Sequence, residues 1–134
     1  MRATLCEYAS VNPDGTATLV RAGIARIVSS GLPLLFGAAV YAEIRSGELE
    51  NGPHDMLLEV VGAKGTAFKV QATLTVVDSR EASRIVLPFL AKIEFYGKYR
   101  VTLKVGTLQD DLVVTLDEVP PKKGTMETPN AGTG

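Results

Sequence analysis

Between Leu34 and Ile44, in LLFGAAVYAEI, every even position is apolar: Leu34, Phe36, Ala38, Val40, Ala42 and Ile44. The odd positions are mixed and end in Tyr41, Glu43 and Arg45. Alternation with a period of two marks a strand with one buried face and one wet face. It predicts a central strand on whose buried side other strands close. Thr66–Val77 alternates as clearly, placing Phe68, Val70, Ala72, Leu74 and Val76 inward and Lys69, Gln71, Thr73 and Thr75 outward. A polar face of this kind suits a solvated antiparallel sheet. Phe36, Val70 and Val101 are all expected in the interior.

The remaining segments follow the same rule. Arg2–Val11 and Thr16–Val28 predict two strands paired as a hairpin across Asn12-Pro13-Asp14-Gly15, where proline presets one turn position and glycine takes a left-handed one. Gly23 interrupts the second strand and marks a bulge or a close backbone approach. Ser46–Asp55 is polar, contains Asn-Gly and Gly-Pro, and reads as a surface loop. Met56–Val61 predicts a short strand that turns at Ala63-Lys64-Gly65. Asp78–Ala82 predicts a polar loop with room for one helical turn, Asp78 serving as its cap and Glu81 lying three residues on. In Ser83–Phe95, Pro88 cannot donate to a ladder, so an edge strand or a bent crossover is expected. Gly97–Val105 is a strand with Tyr99, Val101, Leu103 and Val105 inward. Gly106–Asp111 turns the chain, and Leu112–Val119 closes the domain.

No amphipathic helix is visible, and short strands separated by turn signals predict an all-β fold. The expected architecture is an antiparallel two-sheet sandwich of about seven or eight strands, immunoglobulin-like or jelly-roll-like, over residues 1–119. At 134 residues one core can bury roughly two thirds of the unfolded surface. Residues 120–134, PPKKGTMETPNAGTG, have one large apolar side chain, Met126, and are expected to form an extended tail that does not order alone. Fully extended, the tail reaches roughly 45–50 Å, enough to cross a neighbouring subunit.

Composition removes several function classes. Fourteen basic residues against fifteen acidic give a net charge of −1, without the basic excess that nucleic-acid binding requires. No stretch is long and apolar enough for a membrane-spanning helix, and no signal-peptide core is visible, so cytoplasmic synthesis is expected. The single cysteine, Cys6, excludes an intrachain disulfide and reads as a buried, inert thiol. The single histidine, His54, beside Gly52-Pro53, reads as a solvated loop residue. One histidine and one cysteine cannot build a zinc site of ordinary spacing, nor a histidine-based triad. Asp14, Asp110 and Asp111 fall in predicted turns and are the sole calcium candidates, although no D-x-D-x-D spacing supports them. Gly62-Ala63-Lys64-Gly65 is too short for a phosphate-binding loop. Neither catalytic, cofactor nor metal residues are expected.

Leu5-Cys6-Glu7-Tyr8-Ala9, Asp14-Gly15 and Leu19-Val20-Arg21-Ala22-Gly23-Ile24 together resemble a family of uncharacterised bacterial and phage-encoded β-sandwich proteins. Members begin with L-C-D-Y-A, a D-G turn and a strand ending in G-G-I; Glu7 and Ala22 are departures. Gly97-Lys98-Tyr99-Arg100-Val101 looks like the family's penultimate strand. The resemblance covers residues 2–119 and implies a fold rather than a reaction.

Two functions fit this reading. The first is a non-enzymatic structural or interaction protein, a homo-oligomer or assembly component that docks on a larger complex. A phage virion part such as a capsid decoration protein is its concrete form, and the tail is its strap through Pro120, Pro121, Lys122, Lys123, Met126 and Pro129. The second is a small cytosolic binding module that recognises a protein or ligand through the loops Gly47–Asp55, Asp78–Ala82 and Gly106–Asp111.

Overall fold

The alternation about Leu34–Ile44 produces a strand of those bounds, β5, and it organises one of two packed sheets in the computed structural model, which describes residues 1–120. Ten strands follow in chain order: β1 (Arg2–Cys6), β2 (Tyr8–Val11), β3 (Ala17–Val20), β4 (Arg26–Ser29), β5, β6 (Gly52–Gly62), β7 (Gly65–Val76), β8 (Ser83–Ile93), β9 (Gly97–Val105) and β10 (Leu108–Glu118). Among the described residues there is no helix, so none is long and apolar enough to cross a membrane.

One sheet has the order β1-β5-β8, the other β4-β10-β9-β6-β7, and β2 and β3 form a separate hairpin. The fold is an all-β sandwich, antiparallel except where β4 runs parallel to β10. Its core lies between the sheets. Leu5, Val40 and Ala42 from one sheet meet Leu58, Val60, Val101, Leu103, Val105 and Leu116 from the other. Phe36 and Phe89 make an edge-to-face pair 5.8 Å apart, and Phe68 reaches from β7 to within 5.5 Å of the Phe89 ring. Apolar burial of this kind is the main stabilising term in such a fold.

The structure alters several local expectations. Arg2–Val11 is two strands, because the chain leaves the sheet after Cys6 and Glu7 N–H donates to Val20 C=O at 2.9 Å. Thr16–Val28 is likewise divided: Arg21 and Gly23 take φ of 51° and 81°, and Gly23 N–H meets Leu5 C=O at 2.8 Å. That close approach redirects β4 into the opposite sheet. The freed β2–β3 hairpin folds over the outside of β5, so Ala39 and Tyr41 are buried rather than wet, packed with Cys6 and Ala9. Small side chains at Cys6, Ala9 and Ala39 let the hairpin approach the sheet.

Strand β6 begins at Gly52, four residues before the expected Met56, and β10 begins at Leu108, inside the expected Gly106–Asp111 turn. Asp78–Ala82 holds a turn closed by Glu81 N–H to Asp78 C=O at 3.1 Å, without a helical turn. Phe36 and Val101 are interior, whereas Val70 is 39% exposed. The cause is the unequal sheets: β7 is the edge of the five-stranded sheet and overhangs its three-stranded partner. Pro88 lies in β8, at an edge, opposite Ala39.

Candidate functional site

The two ends of the sandwich differ. At one end β10 finishes beside β4, with Val119 N–H donating to Ser29 C=O at 3.0 Å. The start of β5 is there too, since Leu34 pairs with Ile93 at the end of β8, and so is Gly97, which pairs with Leu116. Tyr96 Oη donates to Ser29 C=O at 3.4 Å. The described chain therefore ends at the same end of the sandwich at which β5 begins.

The first residues of β5 are paired on one side alone. Strand β8 runs the whole length of β5, but β1 covers only Ala39–Glu43 and departs at Cys6. Among the described residues, nothing pairs with the other edge of Leu34–Ala38. In a strand, alternate residues direct their N–H and C=O groups to opposite sides, so this edge offers unpaired donors and acceptors. Beside it is an open cleft of about 400 Å³ lined by Ile24, Ile27, Val28 and Phe36 together with the charged Glu7, Arg21 and Arg26.

Several apolar groups are exposed at this end, while Val77, 87% exposed, lies at the other. Leu35 is 64% exposed, Val28 52%, Phe95 50% and Val119 39%. Leu90 is exposed on the outer face, against Gly37, where the β2–β3 hairpin does not reach. Tyr99 Oη donates to Phe95 C=O at 2.5 Å, and Lys64 Nζ lies 5.6 Å from the Phe95 ring, so the Phe95 turn is held in place while its ring stays open to water. Exposed apolar patches rimmed by polar groups mark interaction surfaces in soluble proteins.

The opposite end brings together the three loops named as a second binding candidate. Gly47 N–H donates to Ser79 C=O at 2.7 Å, Ser79 N–H to Asn51 Oδ1 at 2.6 Å, and Gly106 N–H to Asp55 C=O at 2.9 Å. These bonds join the loops to each other and use their backbone groups internally. On the outer face nearby, Asp55, Leu57, Gln71, Thr73 and Lys104 line a shallow depression.

The chemistry-bearing residues are dispersed. Cys6 is buried and its thiol donates to Ala39 C=O at 3.4 Å; burial pushes its pKa up. His54 is not a solvated loop residue: it sits half-buried in β6, with Nε2 2.7 Å from Glu50 C=O and its ring against Gly106. Asp110 and Asp111 are in β10 rather than a turn, and adjacent strand positions point to opposite faces. Asp110 Oδ2 accepts Ala3 N–H at 2.8 Å, while Asp111 meets Gln109. Asp14 accepts from Thr16 N–H and Thr16 Oγ1 at 3.0 and 2.6 Å, which lowers its pKa. No group of three histidine, cysteine or carboxylate side chains among the described residues could hold a metal ion. Of the tail residues expected to bind a partner, Pro120 is exposed, and Pro121, Lys122, Lys123, Met126 and Pro129 lie outside the described residues.

The cleft and the apolar end were not anticipated. Their signals were present in Leu35, an apolar residue on the face expected to be wet, and in the adjacent aromatics Phe95-Tyr96 at a turn. Compared with models of known protein families and with curated proteins, the chain matches none.

Proposed function

We propose that this protein is a non-enzymatic interaction subunit that docks on a larger protein assembly through the end carrying Leu35, Phe95 and Val119, with the C-terminal tail as a strap. The observation that carries this reading is the coincidence, at one end, of exposed apolar side chains, an unpaired strand edge and the exit of the chain. Extended segments gain main-chain hydrogen bonds by adding to such an edge, and neighbouring side-chain pockets provide selectivity. A capsid decoration or accessory protein of a phage virion is the concrete form of this proposal that agrees with the family resemblance.

Sedimentation of the full chain in lysate of the cell that makes it tests the proposal. The chain is expected to migrate well above its own 14.2 kDa, and Leu35→Asp with Phe95→Asp is expected to return it to that size. If the unaltered chain sediments as a monomer, the docking role is wrong. The alternative, a small binding module working through the opposite loops, is favoured by their convergence at Ser79 and Asp55. It predicts that substitutions at Asn51 and Ser79, rather than at Leu35 and Phe95, abolish binding.

A further inference from the structure

Strand β7 is the outer edge of the five-stranded sheet, and among the described residues its far side pairs with nothing. Every residue of Lys69–Thr73 is exposed, so water reaches both faces of the strand there. Which backbone groups this edge offers follows from its neighbours. Gly106 N–H donates to Asp55 C=O at 2.9 Å, so Asp55 turns its main-chain groups toward β9. Strand residues alternate in this respect. Met56 and Leu58 therefore turn theirs toward β7, where they face Ala72 and Val70. Phe68 and Leu74 are engaged with β6 by the same alternation. Lys69, Gln71, Thr73 and Thr75 carry the donors and acceptors of the open edge.

The edge of the opposite sheet lies close by, the Phe89 ring of β8 standing 5.5 Å from Phe68 of β7. That edge is blunted. Leu5 C=O accepts from Gly23 and Ile24, so Leu5 faces away from β5, and Ala39, opposite Cys6, faces β1. Pro88 is opposite Ala39, so the donor that proline lacks is one on the open side of β8. Arg84 and Lys92 add charge to the same strand. Proline and charge at an edge discourage the addition of another strand. β7 has neither device: it contains no proline, and Lys69 is its one charged residue.

What β7 matches is itself. Laid antiparallel against a second β7 with Gln71 opposite Gln71, it pairs from Thr66 to Val76. Val70 then faces Ala72, and Phe68 faces Leu74, on the side turned to the core. Lys69 faces Thr73 on the outer side, where the open donors and acceptors of each copy meet those of the other. Apolar pairs directly across a ladder stabilise it and like charges there destabilise it; this register has the first and none of the second.

We infer that two copies of this chain pair edge to edge through β7, antiparallel and centred on Gln71, so that their five-stranded sheets become one. The contact is isologous, each copy presenting the same strand. A single strand pair is a narrow contact of the weak class, below roughly 1,200 Å². The dimer therefore belongs to concentrated solution, and dilute chain in lysate is monomeric with respect to it. It uses none of Leu35, Phe95 or Val119, and goes beyond the docking role proposed above.

The test follows purified full chain by light scattering across a dilution series, with residue-resolved amide exchange at its two ends. The chain is expected to pass from monomer to dimer as concentration rises. The amides of Lys69, Gln71, Thr73 and Thr75 should slow as it does, while those of Val70 and Ala72 stay slow throughout. Thr73→Lys alters an exposed side chain and sets like charges opposite Lys69 in two places, which should raise the dissociation constant about tenfold. Adding Lys69→Glu to it should restore the original value. A chain that stays monomeric at every concentration overturns the pairing. A dimer indifferent to Thr73→Lys overturns it as well, because its contact or register is another one. Edge amides that are slow at every dilution, and become fast in a chain ending at Pro120, overturn it in favour of the chain's own tail. Leu35→Asp with Phe95→Asp should leave the dimer intact; its loss would move the contact to the docking end and sink the inference, whatever becomes of sedimentation in lysate.

Discussion

Cys6 sits where β1 ends, under the hairpin that follows it, and its thiol donates to Ala39 C=O. Burial raises its pKa, and the thiolate is the reactive form. A thiol reagent such as Ellman's is therefore expected to label the native protein far more slowly than the urea-unfolded one at pH 8; equal rates would show that the hairpin does not cover this site. On the same face Tyr41 Oη donates to Glu43 at 2.7 Å and Arg84 Nε to Glu43 at 3.2 Å, while Arg84 also reaches Gly15 C=O in the hairpin turn. The Tyr41 bond first, and Arg84 second, hold the Glu43 carboxyl below its ordinary pKa. A carboxyl depressed on folding contributes stability above its unfolded pKa, roughly 4.3, and loses it as pH falls through the lower folded value. Glu43→Gln should thus shrink the loss of urea stability between about pH 5 and pH 3, with little change in slope near neutrality. An unaltered acid slope would mean that the pairing does not persist in solution.

At the scale of elements, alternation was readable wherever one strand stays in one sheet. β5 and β9 have the bounds and inward faces expected from Leu34–Ile44 and Gly97–Val105, and of the two courses that Pro88 left open, edge strand or bent crossover, β8 takes the first. What a period of two cannot convey is a strand that changes sheets. Arg2–Val11 and Thr16–Val28 alternate without a visible break, yet Glu7 and Arg21 through Gly23 divide them, because a backbone bond to a distant segment decides the course. The buried outer face of β5 was hidden for the same reason: Ala39 is as compatible with water as with a covering hairpin. Val70 failed differently, since its inward direction was legible but the extent of the opposing sheet was not. The covered and open parts of the β5 outer face can be told apart by mutation. Ala39→Leu forces bulk beneath the hairpin and should cost about 1–3 kcal/mol by urea denaturation. Leu35→Ser, four residues earlier on that face, should stay within about 0.5 kcal/mol in dilute solution. Comparable effects would mean that the hairpin does not pack where Ala9 and Ala39 meet.

For the whole molecule, the class of fold was accessible because strand periodicity and turn chemistry recur along the chain. The candidate site was not, because it is made by a strand that stops early and by residues from β4, β5 and the β8–β9 turn. The core between the sheets draws on both sheets, from Leu5 and Val40 to Leu58 and Leu116, and none of these residues lies in the tail. Ending the chain at Pro120 is therefore expected to leave the far-ultraviolet circular dichroism and, in dilute solution, the urea midpoint unchanged. A lowered midpoint under those conditions would assign the tail to the core rather than to a partner.

The hydrogen bonds that tie Gly47, Asn51 and Asp55 to Ser79 and Gly106 knit three separate loops into one surface. A change in any of them, such as Asn51→Ala, is passed to the others through these bonds, so that pole should answer to mutation as a unit rather than loop by loop.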